Sequence, residues 1–248
     1  MAVDLMRFPD GSQARVLHVP REAAAEEIVE ALGIPRPRAL LVLNGGTAEL
    51  EAELKAQLGA LLQDGLARIA AEAQITLVTG ATDAGIFALL GQGLSKWEPT
   101  APCIGVAVAG LVQWPGHPEG DVPLEPHHSH FVLVDGENWG DETATMYRLI
   151  AALSQDCPSA AVFAGGGEIA VREMQANVSQ GREMILIAGS GRKVDALLGV
   201  PEGQQTDDSR LVEIAQNGKL IPFDIQQGPE ALRDLVRRVL FGNADTGR

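Results

Sequence analysis

The stretch "FAGGGEIAVREM", from Phe163 to Met174, decides the fold class of this chain. It leaves an apolar run, passes through three consecutive glycines and enters a segment with helical spacing, which predicts a strand, a turn and a helix in direct succession. Residues without Cβ weaken both a strand and a helix. We therefore expect a tight turn, close packing or a bound ligand at this point of the backbone.

The same alternation of apolar runs and helical segments continues in both directions from these glycines. The runs are apolar throughout rather than at every second residue, which is typical of a parallel sheet covered by helices on both faces. We predict an α/β fold with a Rossmann-like, doubly wound, mostly parallel sheet flanked by helices. The predicted strands are 39–44, 75–79, 103–108, 130–134, 159–164 and 184–188, with 220–224 as a possible edge strand. The predicted helices are 49–73, 84–93, 141–155, 168–180, 192–198, 209–217 and 229–241.

Three segments fall outside this alternation. The turn signal "PDG", Pro9–Gly11, lies between short apolar segments and is followed by a helical pattern, so residues 1–35 are expected to form a small N-terminal extension of hairpin and helix. Residues 36–242 are expected to form a single domain, and 243–248 a flexible tail. The irregular segment 112–126 is too long for an ordinary connection and is a candidate loop over a ligand.

The composition excludes several classes of partner. The 248 residues include 19 basic and 33 acidic side chains, a net charge of −14, which opposes the phosphate-neutralising surface that nucleic acids require. No apolar run approaches the roughly 18 residues that span a bilayer, so no membrane partner is expected. The first residues lack the basic and apolar regions of a secretory signal, and a cytoplasmic location is therefore the expectation.

Four predicted strands run directly into glycine. Because the carboxyl ends of parallel strands lie along one edge of a sheet, we expect the four turns to line one ligand crevice. A glycine turn before a helix holds phosphate through backbone N–H groups, and Arg192 can add a bidentate contact. The spacing matches neither the dinucleotide fingerprint nor the P-loop, so a standard dehydrogenase or NTPase is not expected. The candidate ligand-binding residues at these turns are Asn44, Gly45, Gly46, Gly80, Ala81, Thr82, Asp83, Gly85, Gly165, Gly166, Gly167, Glu168, Gly189, Ser190, Gly191 and Arg192.

The polar side chains outside the glycines leave alternatives open. His127, His128 and His130 invite a metal hypothesis, but no carboxylate or cysteine lies at a familiar interval and no metal is expected. His130 is the histidine expected to hydrogen-bond at the crevice. The alternative is that its hydrogen bonds serve only the structure of the protein. Asp83 and Glu168 are candidates for binding ribose hydroxyls, and each is equally well explained as an acidic residue at a helix start.

These motifs together resemble the SLOG superfamily, and specifically the prokaryotic relatives of the N-terminal cytosolic region, of LSDAT type, of melastatin-type TRP channels. The matching pieces occur in family order between about residues 39 and 200: "LNGG", "VTGATDAGIF", "PCIGVA", "HSHFVLVDG", "FAGGGE" and "GSGRKVD". The joint occurrence of "HSHFVLVD" and "GSGR-x-x-D" is the specific part of the resemblance. It implies a Rossmann-like fold that binds a nucleotide-derived ligand, in some channels ADP-ribose, with no further cofactor required.

The resemblance also implies roles for individual residues. The loop Gly80 to Gly85 and the triple glycine would contact phosphate or ribose, Arg192 would hold phosphate, and Trp139 would stack on the ligand. One position departs from the pattern, because Met146 stands where an ADP-ribose-binding channel has a second arginine. A smaller or differently charged nucleotide is therefore the alternative ligand.

An enzymatic alternative comes from the phosphoribohydrolases of the same superfamily, which carry a "PGG-x-G-T-x-x-E" motif. Here Glu173 would stand for the glutamate of that motif, with Glu168 as the other candidate catalytic residue. Ile169 and Ala170 replace the Gly-Thr pair, so the signature favours a ligand sensor over hydrolysis of an N-glycosidic bond. A structural or assembly domain with a vestigial pocket is the third reading. A homo-oligomer and a downstream effector protein are further possible partners.

Overall fold

The computed structural model describes residues 2–242, so the predicted flexible tail at 243–248 lies outside the described residues. Within that range the main sheet contains nine strands in the order β1-β2-β8-β5-β4-β3-β9-β10-β11. Every neighbouring pair is parallel except the antiparallel hairpin β1·β2. The strands are β1 (Val3–Arg7), β2 (Gln13–Val19), β3 (Leu40–Gly45), β4 (Thr76–Thr79), β5 (Cys103–Val108), β6 (Val112–Gln113), β7 (Val122–Pro123), β8 (His130–Val134), β9 (Ser159–Ala164), β10 (Glu183–Ala188) and β11 (Lys219–Asp224).

The helices cover both faces of this sheet. They are α1 (Ala25–Leu32), α2 (Ala52–Ala60), α3 (Arg68–Ala73), α4 (Gly85–Trp97), α5 (Thr143–Leu153), α6 (Glu168–Ser179), α7 (Arg192–Gly199), α8 (Ser209–Asn217) and α9 (Gly228–Phe241). A π-helical segment, Leu61–Ala67, joins α2 to α3, so the predicted long helix is continuous. One core lies between the sheet and α2, α3, α4 and α9, and the second lies between the sheet and α1, α5, α6, α7 and α8. The doubly wound α/β prediction is confirmed, and 220–224 lies within the edge strand β11.

The N-terminal hairpin is part of the main sheet. Strand β2 pairs in parallel with β8, from Arg15 opposite His130 to Val19 opposite Val134. The inward side chains of β2, such as Leu17, are fully buried. The predicted hairpin and helix are therefore present, and the pairing with β8 extends the sheet beyond what the local sequence pattern indicated.

The long irregular segment 112–126 packs against one of the glycine turns. It contains the short parallel pair β6·β7, and Leu124 forms an isolated bridge with Thr82. Val112 and Leu124 are buried in a small third core together with Phe8 and Phe131. This packing brings the segment beside the carboxyl ends of the strands, where the candidate site lies.

Candidate functional site

The four glycine turns follow four neighbouring strands, β4, β3, β9 and β10. From β3 the chain continues through β4, β5 and β8 on one side and then returns to β9 on the other side. The point between β3 and β9 is therefore the topological switch point of the sheet, where open α/β sheets bind ligands beyond the carboxyl ends of their strands. The turns are brought together at this point, as the sequence predicted.

Two neighbouring cavities lie on either side of the turn Gly45 to Thr47. We name them the arginine cavity, of about 240 Å³, and the tryptophan cavity, of about 190 Å³. The arginine cavity is lined by Gly46, Ala48, Glu49, Leu50, Glu51, Leu54, Leu58, Ile86, Ala164, Gly165, Gly166, Ser190, Gly191 and Arg192. The tryptophan cavity is lined by Gly45, Thr47, Gly80, Thr82, Ala84, Phe87, Val122, Trp139, Glu142, Ile169 and Glu173.

Two of the glycines are required because the turns touch one another. A Cβ on Gly45 would lie 2.1 Å from the carbonyl oxygen of Ala164, and a Cβ on Gly85 would lie 2.3 Å from the carbonyl oxygen of Gly46. Real Cβ atoms do not approach backbone oxygens so closely. The absence of side chains at these positions therefore serves the packing of the turns at β3, β9 and the start of α4.

The triple glycine forms a left-handed turn directly before a helix. Gly165 and Gly166 have φ values of +63° and +88°, and α6 begins at Glu168 with no capping side chain from the described residues. The first amides of a helix have no intrahelical partners, and they carry the positive end of its dipole. Since Gly165 and Gly166 also line the arginine cavity, the start of α6 offers an anion a favourable site at the rim of that cavity.

Backbone amides of the "GSGR" turn, Gly189 to Arg192, form hydrogen bonds with a nearby side chain of the same segment. The carboxylate of Asp195 accepts hydrogen bonds from the amides of Gly189 at 2.9 Å and Gly191 at 2.8 Å. The hydroxyl of Ser190 accepts from the amide of Gly165 at 2.8 Å and so joins this turn to the triple glycine. What the turn presents to the arginine cavity is therefore the exposed Arg192, whose guanidinium has no hydrogen-bond or ion-pair partner within residues 2–242.

The tryptophan cavity combines apolar walls with two carboxyl groups. Trp139, Phe87 and Ile169 supply the walls, and Glu142 and Glu173 are its acidic residues. Burial and the neighbouring charge of Glu142 raise the pKa of Glu173 to about 8, and burial also raises the pKa of Glu142. At neutral pH the pair therefore retains a proton, so it can both donate and accept hydrogen bonds.

A buried polar cluster lies beneath the two cavities. The hydroxyl of Tyr147 accepts hydrogen bonds from the side-chain amides of Asn44 and Asn177, each at 2.8 Å. Asn44 is 1% exposed and Thr82 is 3% exposed, and Asn44 Oδ1 and Thr82 Oγ1 have no hydrogen-bond partner within the described part of the chain. Buried polar atoms without partners cost free energy. Thr82 lines the tryptophan cavity, and Asn44 directly precedes Gly45 in the wall of that cavity.

Comparison with known proteins agrees with this architecture. The sequence model of the family described as "SLOG in TRPM, prokaryote" matches residues 38–233. The chain belongs to this SLOG family. Among curated proteins it is similar to the transient receptor potential cation channel subfamily M member 2 of Mus musculus, with 22% identity over 77% of this chain, and to its counterpart of Rattus norvegicus, with 22% identity over 66%. The matched regions are 15% and 13% of the length of those channels.

No helix in residues 2–242 is both long enough and apolar enough to cross a bilayer.

Several residues proposed from the sequence are not brought into the crevice of this SLOG fold. His130 is the first residue of β8 and so lies toward the opposite edge of the sheet, where burial lowers its pKa to about 4. Glu168 lines neither cavity, because its carboxylate pairs with Lys193 at 2.8 Å and Arg210 at 2.6 Å. Asp83 is exposed and also lines neither cavity.

The remaining predicted residues lie at or next to the cavities. Arg192, Trp139 and Glu173 are all lining residues. Ala81 is fully buried directly behind the wall that contains Gly80 and Thr82. Met146, which stands in place of the second arginine, is buried in α5 and is 2% exposed.

Glu142 lines the tryptophan cavity but was not among the residues predicted from the sequence. The loop that carries Trp139 is held by Asp141, whose Oδ2 accepts from the amides of Glu137 at 2.9 Å and Asn138 at 3.0 Å. Glu142 follows this loop and accepts from the amide of Gly140 at 2.7 Å. The only available signal was its position three residues after the predicted stacking tryptophan, at the beginning of a helix.

Proposed function

We propose that this chain is a sensor domain that binds a nucleotide-derived ligand containing ribose and a phosphate or diphosphate, such as ADP-ribose or a relative. The observation that carries the proposal is the junction of the two cavities at Gly45 to Thr47. Arg192, which has no partner within residues 2–242, lies on one side, and Trp139 lies beside Glu142 and Glu173 on the other. A phosphate fits the first side and a ring with hydroxyl groups fits the second.

The sizes of the cavities support a ligand that spans both. Small-molecule pockets usually enclose about 300–1,000 Å³. The arginine cavity, at about 240 Å³, and the tryptophan cavity, at about 190 Å³, are each below that range. A ligand that occupies both would place its phosphate against Arg192 and the start of α6, and its ribose hydroxyls against the carboxyl pair.

The charges favour a ligand with few phosphates. Glu49 and Glu51 line the arginine cavity together with Arg192, so two carboxylates oppose the accumulation of negative charge there. Met146 supplies no second cation. These observations support a monophosphate, or a diphosphate whose second group remains in solvent, as an alternative to tightly held ADP-ribose.

Hydrolysis of an N-glycosidic bond is the second candidate function, and the carboxyl pair is the observation that favours it. A water molecule would attack the anomeric carbon of the ribose as the bond to the base nitrogen breaks. Glu173, protonated at neutral pH because of its raised pKa, would transfer its proton to the departing base, and Glu142 would accept a proton from the water. Glu173 is the candidate catalytic acid in this scheme.

A calorimetric titration with ADP-ribose, AMP and ribose 5-phosphate, followed by chromatography of the recovered ligands, tests both functions. Saturable heat with intact ligand, reduced at least about tenfold in affinity by Arg192→Ala, is the expected result. Release of free base that Glu173→Gln abolishes would establish the hydrolase instead. Binding of none of the three ligands would overturn the proposal and favour a structural or assembly domain.

The proposal extends to the cellular role of the domain. A cytoplasmic location and a signal passed to a downstream effector, or through a homo-oligomer, would complete a sensor of this kind. Cross-linking and native mass measurement with and without the bound ligand test the oligomer.

A further inference from the structure

A buried chain of hydrogen bonds lies behind the turn that carries Gly80 and Thr82. His128 contacts the hydroxyl of Thr79 through Nε2 at 2.6 Å and the carboxylate of Glu125 through Nδ1 at 2.8 Å. Thr79, His128 and Glu125 are 0%, 1% and 2% exposed. None of the three lines either cavity, so the chain is not part of the ligand-contacting surface.

The histidine and the glutamate form an ion pair. Burial by itself would lower the pKa of His128, but the neighbouring Cys103 and Glu125 outweigh it and raise that pKa to about 10. Hydrogen bonds and charge interactions with His128 and His127 lower the pKa of Glu125, although burial opposes that shift. His128 therefore has a proton on each ring nitrogen, and it donates to Thr79 and Glu125 together.

The ion pair also reaches a solvent-open groove of about 430 Å³ toward the opposite edge of the sheet. The second oxygen of Glu125 contacts Nδ1 of His127 at 2.8 Å. Nε2 of His127 lies 3.5 Å from Oδ2 of Asp10, at the turn of the N-terminal hairpin. Both oxygens of the buried carboxylate are thus satisfied, and the chain of contacts runs from the hairpin turn to the ligand crevice.

The chain ends on a residue with an unfavourable backbone conformation. Ala81 has φ of +67°, in the left-handed region that costs a residue with a side chain about 1 kcal/mol or more. Its amide donates to the hydroxyl of Thr79 at 3.1 Å, and its carbonyl accepts from the amide of Glu125 at 2.9 Å. Two members of the buried chain therefore hold both polar groups of Ala81.

We propose that His128 and Glu125 are positioning residues for the ligand site, acting through Thr79 to hold Ala81 in its left-handed conformation and so to fix Gly80 and Thr82 in the wall of the tryptophan cavity. The ion pair orients the threonine hydroxyl, and the hydroxyl then accepts a hydrogen bond from the amide of Ala81. The effect on ligand affinity rests on the proposed function, whereas the effect on the turn does not.

The matched variants Thr79→Val and Thr79→Ser test the positioning role. Valine has nearly the same shape as threonine but removes the hydroxyl, and serine retains it. Hydrogen exchange of residues 80–85 in the protein without ligand should be at least about tenfold faster in Thr79→Val and close to the original rate in Thr79→Ser. Unchanged exchange in a folded Thr79→Val variant would overturn the inference.

Ligand titration separates this inference from the proposed function. If the original protein binds ADP-ribose, Thr79→Val should weaken binding about tenfold and Thr79→Ser should restore it. If the original protein does not bind, the proposed function loses its support while the exchange measurement still decides the positioning role. Faster exchange with unchanged affinity would overturn the link to the ligand site.

A second variant tests the ion pair itself. In Glu125→Gln the amide oxygen can still accept from His128, but the negative charge is gone. Nitrogen chemical shifts of the imidazole should report two protonated nitrogens at pH 8 in the original protein and one in the variant, together with faster exchange of the Ala81 amide. A neutral imidazole with unchanged exchange at Ala81 would show that the charge of His128 has no positioning role.

Discussion

Asp195 stabilises the turn before its own helix, because its Oδ2 accepts a hydrogen bond from the amide of Gly191 at 2.8 Å. Its other oxygen accepts the amide of Gly189 at 2.9 Å, so one carboxylate occupies two backbone donors that an external anion would otherwise use. The turn that sequence reasoning assigned to phosphate binding therefore binds an internal carboxylate. In the proposed function, the turn contributes to the ligand site by the placement of Arg192.

Removal of this carboxylate should loosen the turn. Asp195→Ala leaves the amides of Gly189 and Gly191 without their acceptors, and we expect the free energy of unfolding to fall by about 1–2 kcal/mol. Urea denaturation measures the change. Asp195→Asn keeps one strong acceptor and should lose less. A variant with alanine that is as stable as the original protein would contradict the role given to Asp195.

Arg192 should matter for affinity and not for stability. Its guanidinium is exposed and without a partner among residues 2–242, so Arg192→Ala should change the free energy of unfolding by less than about 0.5 kcal/mol. Loss of a charged phosphate contact should weaken binding of ADP-ribose by at least about tenfold. Arg192→Lys keeps the charge without the bidentate geometry, so its affinity for ADP-ribose should lie between those of the original protein and Arg192→Ala. Equal affinities for all three proteins would exclude Arg192 from the ligand site.

Alanine substitutions at two adjacent glycines should have different effects, one on stability and the other on ligand binding. Gly45→Ala places a Cβ 2.1 Å from the carbonyl oxygen of Ala164, and we expect a loss of about 2 kcal/mol or more in the free energy of unfolding. In Gly46→Ala the nearest atom, the amide nitrogen of Gly166, is at an ordinary 3.4 Å. That variant should retain its stability but bind ligand more weakly, because the methyl group narrows the arginine cavity. Thermal unfolding and calorimetry distinguish the two effects.

The raised pKa of Glu173 predicts a dependence of stability on pH. The unfolded chain loses this proton near pH 4.5 and the folded protein near pH 8, so the folded state binds more protons and stability falls as pH rises between those values. Glu173→Gln removes this loss. Between pH 5 and pH 8 the free energy of unfolding of the variant should therefore rise relative to that of the original protein. The relative change should be on the order of 1–2 kcal/mol after allowance for the partial exposure of Glu173. A constant difference across this range would show that Glu173 titrates normally.

The sheet was predictable because its signal is local. Most inner strands, such as Cys103–Val108, are short runs of residues buried on both faces, and glycine or a helix start ends the run. The parallel pairing of β2 with β8 joins residues that are more than one hundred positions apart. No local periodicity specifies which distant strand a hairpin will join.

The site was only partly predictable because direction along a strand decides which edge a residue occupies. The glycines that follow strands lie beside one another, as predicted. His130 is instead the first residue of β8, so it lies toward the edge formed by the amino ends of the parallel strands. Glu142 directly precedes α5 and Glu173 lies in α6, and the packing of α5 beside α6 brings both carboxyls into one cavity. The perturbed pKa of Glu173 follows from that packing and has no counterpart in the sequence.

Because β2 pairs with β8, the unit that must fold is longer than the region that matches the family. The family match begins at residue 38, yet Val16, Met6 and Phe8 cover Phe131 and Leu133 from the N-terminal side of that boundary. A fragment that begins at residue 38 would expose the main-chain donors and acceptors of β8 beside an uncovered aromatic surface. Such an edge recruits strands from other molecules, so this fragment should aggregate in light scattering while the full chain should not.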